Sequence, residues 1–153
     1  NKEIIINNLI SHKVELADFE FNNLIKDKDP DIIILTTPWN EFAFETVDNY
    51  GFVSSSEEGK VNEIIEKPEI KLNNKQLNSL LIGTFWFKSS DIVYSMIEKN
   101  KSKEELFIAS TVGNFIDTYK VFKLNVNYWL SLGTPKELHL AEYWFDFLNL
   151  NKT

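Results

Sequence analysis

Glu66 and Lys67 stand side by side at the end of a short run, Val61-Asn-Glu-Ile-Ile65, and Pro68 stops that run. Neighbours on an ideal strand point to opposite faces, and a proline forces the chain off that geometry, so both side chains can turn toward one ligand. An ammonium meets a phosphate as a point charge, and a carboxylate accepts from sugar hydroxyls. The same two residues also suit a solvated charge pair at the close of a hairpin. A second cluster is Ile82-Gly83-Thr84-Phe85-Trp86-Phe87, an apolar strand interrupted by a glycine. Such a glycine marks either the close approach of a ligand or backbone, or the packing of a bulged strand. The third cluster is Trp129-Leu-Ser131-Leu-Gly133-Thr134-Pro135. Threonine caps a helix and proline suits its first position; a helix start behind a glycine either holds an anion or is simply structural.

The elements that must position these clusters can be read along the chain. Ile4-Ile5-Ile6 and Asp31 to Thr36 (DIIILT) read as strands buried on both faces, and Leu16 to Ile25 between them has helical spacing. Strand, helix, strand favours a parallel pair with a right-handed crossover. Gly51-Phe-Val-Ser54 and Val61 to Ile65 flank Ser55-Ser-Glu-Glu-Gly59, a turn that makes them a hairpin. Leu80 to Phe87 is a further strand, and Ser89-Ser-Asp91 caps a helix carrying Ile92, Val93, Met96 and Ile97 on one face. A helix from about Leu106 to Thr118 and a strand at Lys120 to Leu124 follow. From Pro135 a last helix presents Leu138, Ala141, Tyr143, Trp144, Phe147 and Leu148. The expected fold is α/β, a mixed and mostly parallel sheet with helices on both faces, in a single domain over residues 1–153. The apolar strand at its amino end is expected to be covered, by another chain, a second copy or further residues, because an open apolar edge invites pairing.

Composition narrows the function. A chain of 153 residues with 43% hydrophobic and 14% aromatic content has the substance for a core. Its net charge is −7, and its one basic run, Lys99 to Lys103, is followed at once by Glu104 and Glu105. A nucleic-acid partner is not expected, since no basic face is available to neutralise phosphates. The absence of cysteine excludes disulfides, thiolate metal sites and a cysteine nucleophile. No stretch approaches eighteen apolar residues and no signal-like segment opens the sequence, so the expectation is a soluble, cytoplasmic protein without a membrane partner.

Taken in order, Tyr50-Gly51-Phe-Val, Gly59-Lys-Val, Glu66-Lys-Pro, Ile82-Gly-Thr-Phe-Trp-Phe and Trp129-x-Ser-x-Gly-Thr-Pro resemble the sugar-phosphate nucleotidyltransferases. That group includes glucose-1-phosphate thymidylyltransferases and mannose-1-phosphate guanylyltransferases, which serve capsule and lipopolysaccharide synthesis. The resemblance covers most of the chain and implies a Rossmann-like nucleotide-sugar fold, of which this is the carboxyl-terminal part. It implies that Gly51 lets a backbone amide reach the sugar. Glu66 then bonds sugar hydroxyls, Lys67 meets the sugar phosphate, and Gly83, with Thr84 beside it, packs against the sugar. The partners implied are a sugar phosphate and a nucleoside triphosphate, with Mg²⁺ as cofactor.

Two departures bear on activity. The Gly-rich triphosphate loop of such enzymes has no counterpart in these residues, so the chain is expected to be part of a larger nucleotidyltransferase domain. Ser131 stands where the resemblance calls for a metal-binding Asp, and Leu9 falls at the other Asp position if the first strand is aligned. A neutral hydroxyl and an alkyl group are poor ligands for a hard cation. Either other ligands serve, or the protein is a catalytically inactive module that binds a sugar phosphate or a partner subunit. The purified 153-residue chain is accordingly expected to release no pyrophosphate from Mg²⁺, nucleoside triphosphates and a panel of sugar phosphates; measurable release in a coupled assay would refute this.

Overall fold

A strand sends successive side chains to opposite faces, so three consecutive isoleucines are buried together only in a sheet covered on both sides. Ile32, Ile33 and Ile34 are each 0% exposed in the computed structural model of the chain. The structure describes residues 4–7, 15–38, 50–66, 79–100, 107–126, 129, 132 and 134–150. Ile32 and Ile34 enter one core with Val53, Phe85, Phe87, Met96, Ala109 and Val112. Ile33 joins Trp86 and Leu124 in a second core, against which Phe21, Leu24 and Ile25 pack.

In chain order the elements are β1 (Ile4–Asn7), α1 (Glu15–Lys28), β2 (Ile32–Pro38), β3 (Gly51–Ser55), β4 (Val61–Glu66), β5 (Ser79–Phe87), α2 (Ser90–Lys99), α3 (Ile108–Gly113), β6 (Val121–Asn125) and α4 (Pro135–Leu150). The two cores therefore place α2 and α3 on one face of the sheet and α1 on the other. The sheet order is β4-β3-β5-β2-β6, with β1 pairing β5 as well.

The α/β class and the mixed sheet are as the sequence implied, but the pairing is not mostly parallel among the described residues. β2 and β6 run parallel, while β1–β5, β2–β5, β3–β4 and β3–β5 are antiparallel. The expected β1-α1-β2 unit exists in a modified form. Both strands run antiparallel to β5 and so parallel to each other, yet β5 lies between them. Nothing in the local sequence signals that insertion, because β5 arrives from more than forty residues downstream. The hairpin forms as expected, turning at Ser56 to Gly59, where Gly59 N donates to Ser56 O at 3.0 Å. Its tip docks on β6, with Lys123 N donating to Gly59 O at 2.9 Å.

Three local expectations are revised. Ser89 takes the extended N-cap conformation before α2 but its side chain makes no capping bond. The helix expected from Leu106 to Thr118 is α3 for six residues, then turns. On α4, Ala141 is buried, whereas Leu138, Tyr143 and Trp144 are 45%, 62% and 40% exposed. No described helix is long and apolar enough to cross a membrane.

One side-chain carbonyl ties the ends of three strands. Asn125 Oδ1 on β6 accepts from Thr36 Oγ1 on β2 at 2.7 Å and from Ser79 Oγ on β5 at 3.3 Å. Thr36 and Ser79 are 0% and 1% exposed, so each hydroxyl needs its acceptor. Thr36→Val removes one donor and is expected to cost about 1 kcal/mol, whereas Asn125→Leu strips the acceptor from two buried hydroxyls and should cost more, about 2 kcal/mol. Urea unfolding checks this order; equal midpoints for the two variants would contradict it.

Candidate functional site

Antiparallel pairing sets the candidate residues against one another. In the β3–β4 ladder Gly51 is the register partner of Glu66, so the open end of the hairpin joins two of the residues singled out in the sequence. Phe52 pairs with Leu80 and Val53 with Ser79 on β5. Continuing that register places Gly51 beside Leu81, and a Cβ added at Gly51 would lie 3.2 Å from Leu81 Cδ2. Gly51 thus lets β3 lie close on β5.

The sequence cluster around Gly83 coincides with an irregularity. β2 pairs Ile34 with Phe85 and Thr36 with Leu81, so two steps on β2 span four on β5. β5 therefore bulges across Ile82-Gly83-Thr84, and Gly83 has φ +78, where only glycine sits without strain. On the other edge of β5, β1 pairs residues 84–87 and β3 pairs residues 79 and 80. β1 and β3 thus share one edge end to end, and the bulge falls in the gap between them. Thr84 is 5% exposed at the β1 side of this gap, opposite Asn7. Gly51 and Glu66 thus pair at the open end of the hairpin, while Gly83 and Thr84 lie in the middle of β5. The side chain of Glu66, and Lys67, Pro68, Leu9 and Ser131 altogether, lie outside the described residues.

Tyr50 and Trp129, to which the sequence reading gave no role, meet here with Glu137, which it did not single out. Tyr50, immediately before β3, donates from Oη to Glu137 Oε1 at 2.6 Å, and its ring meets Trp129 edge-on at 5.7 Å between centroids. Trp129 Nε1 is buried and makes no hydrogen bond. Glu137 stands in the first turn of α4, whose start is capped as the Thr134-Pro135 pair implied: Glu137 N donates to Thr134 Oγ1 at 3.3 Å. Thr-x-x-Glu ahead of an apolar run was the available sequence signal. At the carboxyl ends of the parallel strands β2 and β6, Lys123 Nζ donates to Ser79 Oγ at 2.6 Å, and burial holds this ammonium below the usual lysine range.

The described residues contain no group of three carboxylate or imidazole side chains placed to hold a metal ion. Ser131 and Leu9 bring a neutral hydroxyl and no donor to the positions where Asp was expected. A serine hydroxyl at position 131, and an alkyl group at position 9 if the first strand is aligned so, supply no carboxylate to a hard cation such as Mg²⁺.

The sequence matches the family described as nucleotidyl transferase over residues 16–144. No curated protein matches it. Among solved structures, a protein assigned as a glucose-1-phosphate thymidylyltransferase from Bacillus anthracis, in complex with sucrose, aligns with a TM-score of 0.68 at 17% identity, over 94% of this chain and 55% of its own. The nucleoside-diphosphate-sugar pyrophosphorylase from Vibrio cholerae RC9 aligns with a TM-score of 0.58 at 14% identity, over 90% of this chain and 54% of its own. The chain spans about half the length of these structures, and the likeness at such identities is one of fold.

The bulge gives a direct test of its glycine. Gly83→Ala places a Cβ on a backbone at φ +78 and is expected to cost about 1–3 kcal/mol. Chemical denaturation measures this; an unchanged midpoint would show that the bulge relaxes without strain.

Proposed function

Because the chain belongs to the nucleotidyl transferase family, we propose that it is the sugar-phosphate-binding part of a sugar-phosphate nucleotidyltransferase, a cytoplasmic enzyme of nucleotide-sugar synthesis for capsule or lipopolysaccharide. The observation that supports this reading is the register pairing of Gly51 with Glu66, on the strand that lies next to the β5 bulge at Gly83.

In the reaction a phosphate oxygen of the sugar 1-phosphate attacks the α-phosphorus of a nucleoside triphosphate. The bond to the α,β-bridging oxygen breaks, and pyrophosphate leaves with the electron pair. Such a transfer rests on positioning and on neutralising charge. In this chain Glu66 accepts from sugar hydroxyls, and Lys67 supplies positive charge to the sugar phosphate. Gly51 lets a backbone amide reach the sugar, Gly83 keeps a side chain out of the space the sugar fills, and the Trp129 Nε1–H donates to a sugar hydroxyl. No step is assigned to a metal. The nucleotide is held by residues outside these elements, and the edge of β1 that no described strand pairs is where the sheet takes a further strand, from the same protein or another chain.

A second reading has its own support. Ser131 and Leu9 in place of carboxylates favour a module that binds a sugar phosphate without turnover. Both readings require the same binding site.

Calorimetric titration of the protein with glucose 1-phosphate and with free glucose tests that site. A lost charge-assisted hydrogen bond costs about 1.5–3 kcal/mol, roughly ten- to a hundredfold in affinity. Lys67→Ala is expected to weaken the phosphorylated sugar by that factor and hardly change free glucose, while Glu66→Gln weakens both. An exposed charge pair contributes little, so equal binding by all three proteins would return Glu66-Lys67 to a surface pair.

A further inference from the structure

We propose that Glu137 is a positioning residue for the sugar-phosphate cleft. It acts through Tyr50 to fix the start of β3 against the Gly83 gap, and it couples occupancy of the cleft to the seating of α4. The inference rests on the reading of that gap as a sugar-phosphate site. It concerns residues that none of the sequence clusters identified as binding groups.

The position of Glu137 is that of the third residue of a capped helix, after Thr134, Pro135 and Lys136. A carboxylate there is favoured by the helix dipole, and its usual local use is to reach back to the N-cap backbone N–H. In this chain Oε1 instead accepts from Tyr50 Oη, 87 residues away in sequence, at 2.6 Å. A phenol donating to a carboxylate is a charge-assisted bond, shorter and stronger than a neutral one. Glu137 is also held from below, since its own N–H donates to Thr134 Oγ1. The carboxylate is therefore presented from a capped, rigid turn.

The other end of the bond is equally constrained. Tyr50 is the residue before Gly51, which lies against Leu81 at the edge of the β5 bulge around Gly83. Its ring rests edge-on against Trp129, 5.7 Å between centroids at 79°. A shift of Tyr50 therefore moves the start of β3 and the indole that packs against its ring. Gly51 has little slack to absorb that shift, because the space its missing Cβ would take ends 3.2 Å from Leu81 Cδ2. A helix start, a ring pair and a strand start are thus linked through one hydrogen bond at the mouth of the cleft.

The experiment is a double-mutant cycle read in affinity for glucose 1-phosphate, with thermal unfolding followed on the same samples. Tyr50→Phe and Glu137→Ala are each expected to weaken binding about tenfold, and the double variant no more than either alone, the mark of two groups acting as one. Glu137→Gln keeps a carbonyl acceptor and is expected to bind within about threefold of wild type. Tyr50→Phe removes one oxygen and keeps the ring, so its fold should persist. A packing role alone would move the unfolding midpoint and leave affinity unchanged, and that result overturns the inference. Additive losses in the double variant, or no rescue by Glu137→Gln, also overturn it. Wild-type protein that binds no glucose 1-phosphate would instead sink the reading of the site and this inference with it; wild-type binding that survives every substitution would sink the inference alone.

Discussion

The nine residues of β5 must satisfy strand neighbours on two edges while burying side chains on both faces. Phe85 and Phe87 fill one core, and Trp86 fills the other. β2 occupies one edge along most of its length, whereas β1 and β3 divide the opposite edge between them. A regular strand would leave that division seamless. The bulge at Gly83 prevents this, since the extra residues displace the ladder where β1 ends and β3 begins. The break in pairing along that edge, among the described residues, is thus a consequence of how a single strand is shared.

Covering both faces with helices leaves the ends and edges of the sheet as places for chemistry, and open α/β sheets commonly bind ligands beyond strand carboxyl ends. In this chain the polar groups keep to those places. Thr36, Ser79, Lys123 and Asn125 close the carboxyl ends of the parallel pair by bonding to one another. Tyr50, Glu137 and Trp129 frame the gap. The first set satisfies its buried hydroxyls internally and behaves as structure. The second includes an indole N–H that is buried without a hydrogen bond.

Much of this was legible in the residues. Continuous isoleucine runs announced strands covered on both faces, Gly59 with its flanking strands announced a hairpin, and Thr134-Pro135 announced a helix start. Each is a local signal, and each element formed. What the sequence did not carry was adjacency. β1-α1-β2 suggests neighbouring parallel strands, and the insertion of β5 between them depends on pairings across half the chain. The Tyr50–Glu137 bond was hidden for the same reason, although Thr-x-x-Glu marked Glu137 as a special position. The last helix misled in another way: its aromatic residues read as a core face, yet only Ala141 among the described ones is buried. Periodicity reports which residues share a face, not whether anything lies against it.

The distribution of loop lengths bears on how the chain reaches this fold. The hairpin closes through a handful of residues, and loops of that size form in well under a microsecond to a few microseconds. The β2–β6 pair is different, because Thr36 and Asn125 lie 89 positions apart. The entropic cost of closing so long a loop grows only slowly with length, so the finished sheet hardly suffers in stability. The rate does suffer, since topologies rich in distant pairings fold slowly. The last-arriving strand also receives the hairpin tip, through Lys123 N to Gly59 O. A piece of sheet that assembles early by local contacts is therefore locked only when the most remote strand docks. The kinetics of acquiring this structure are governed by β6.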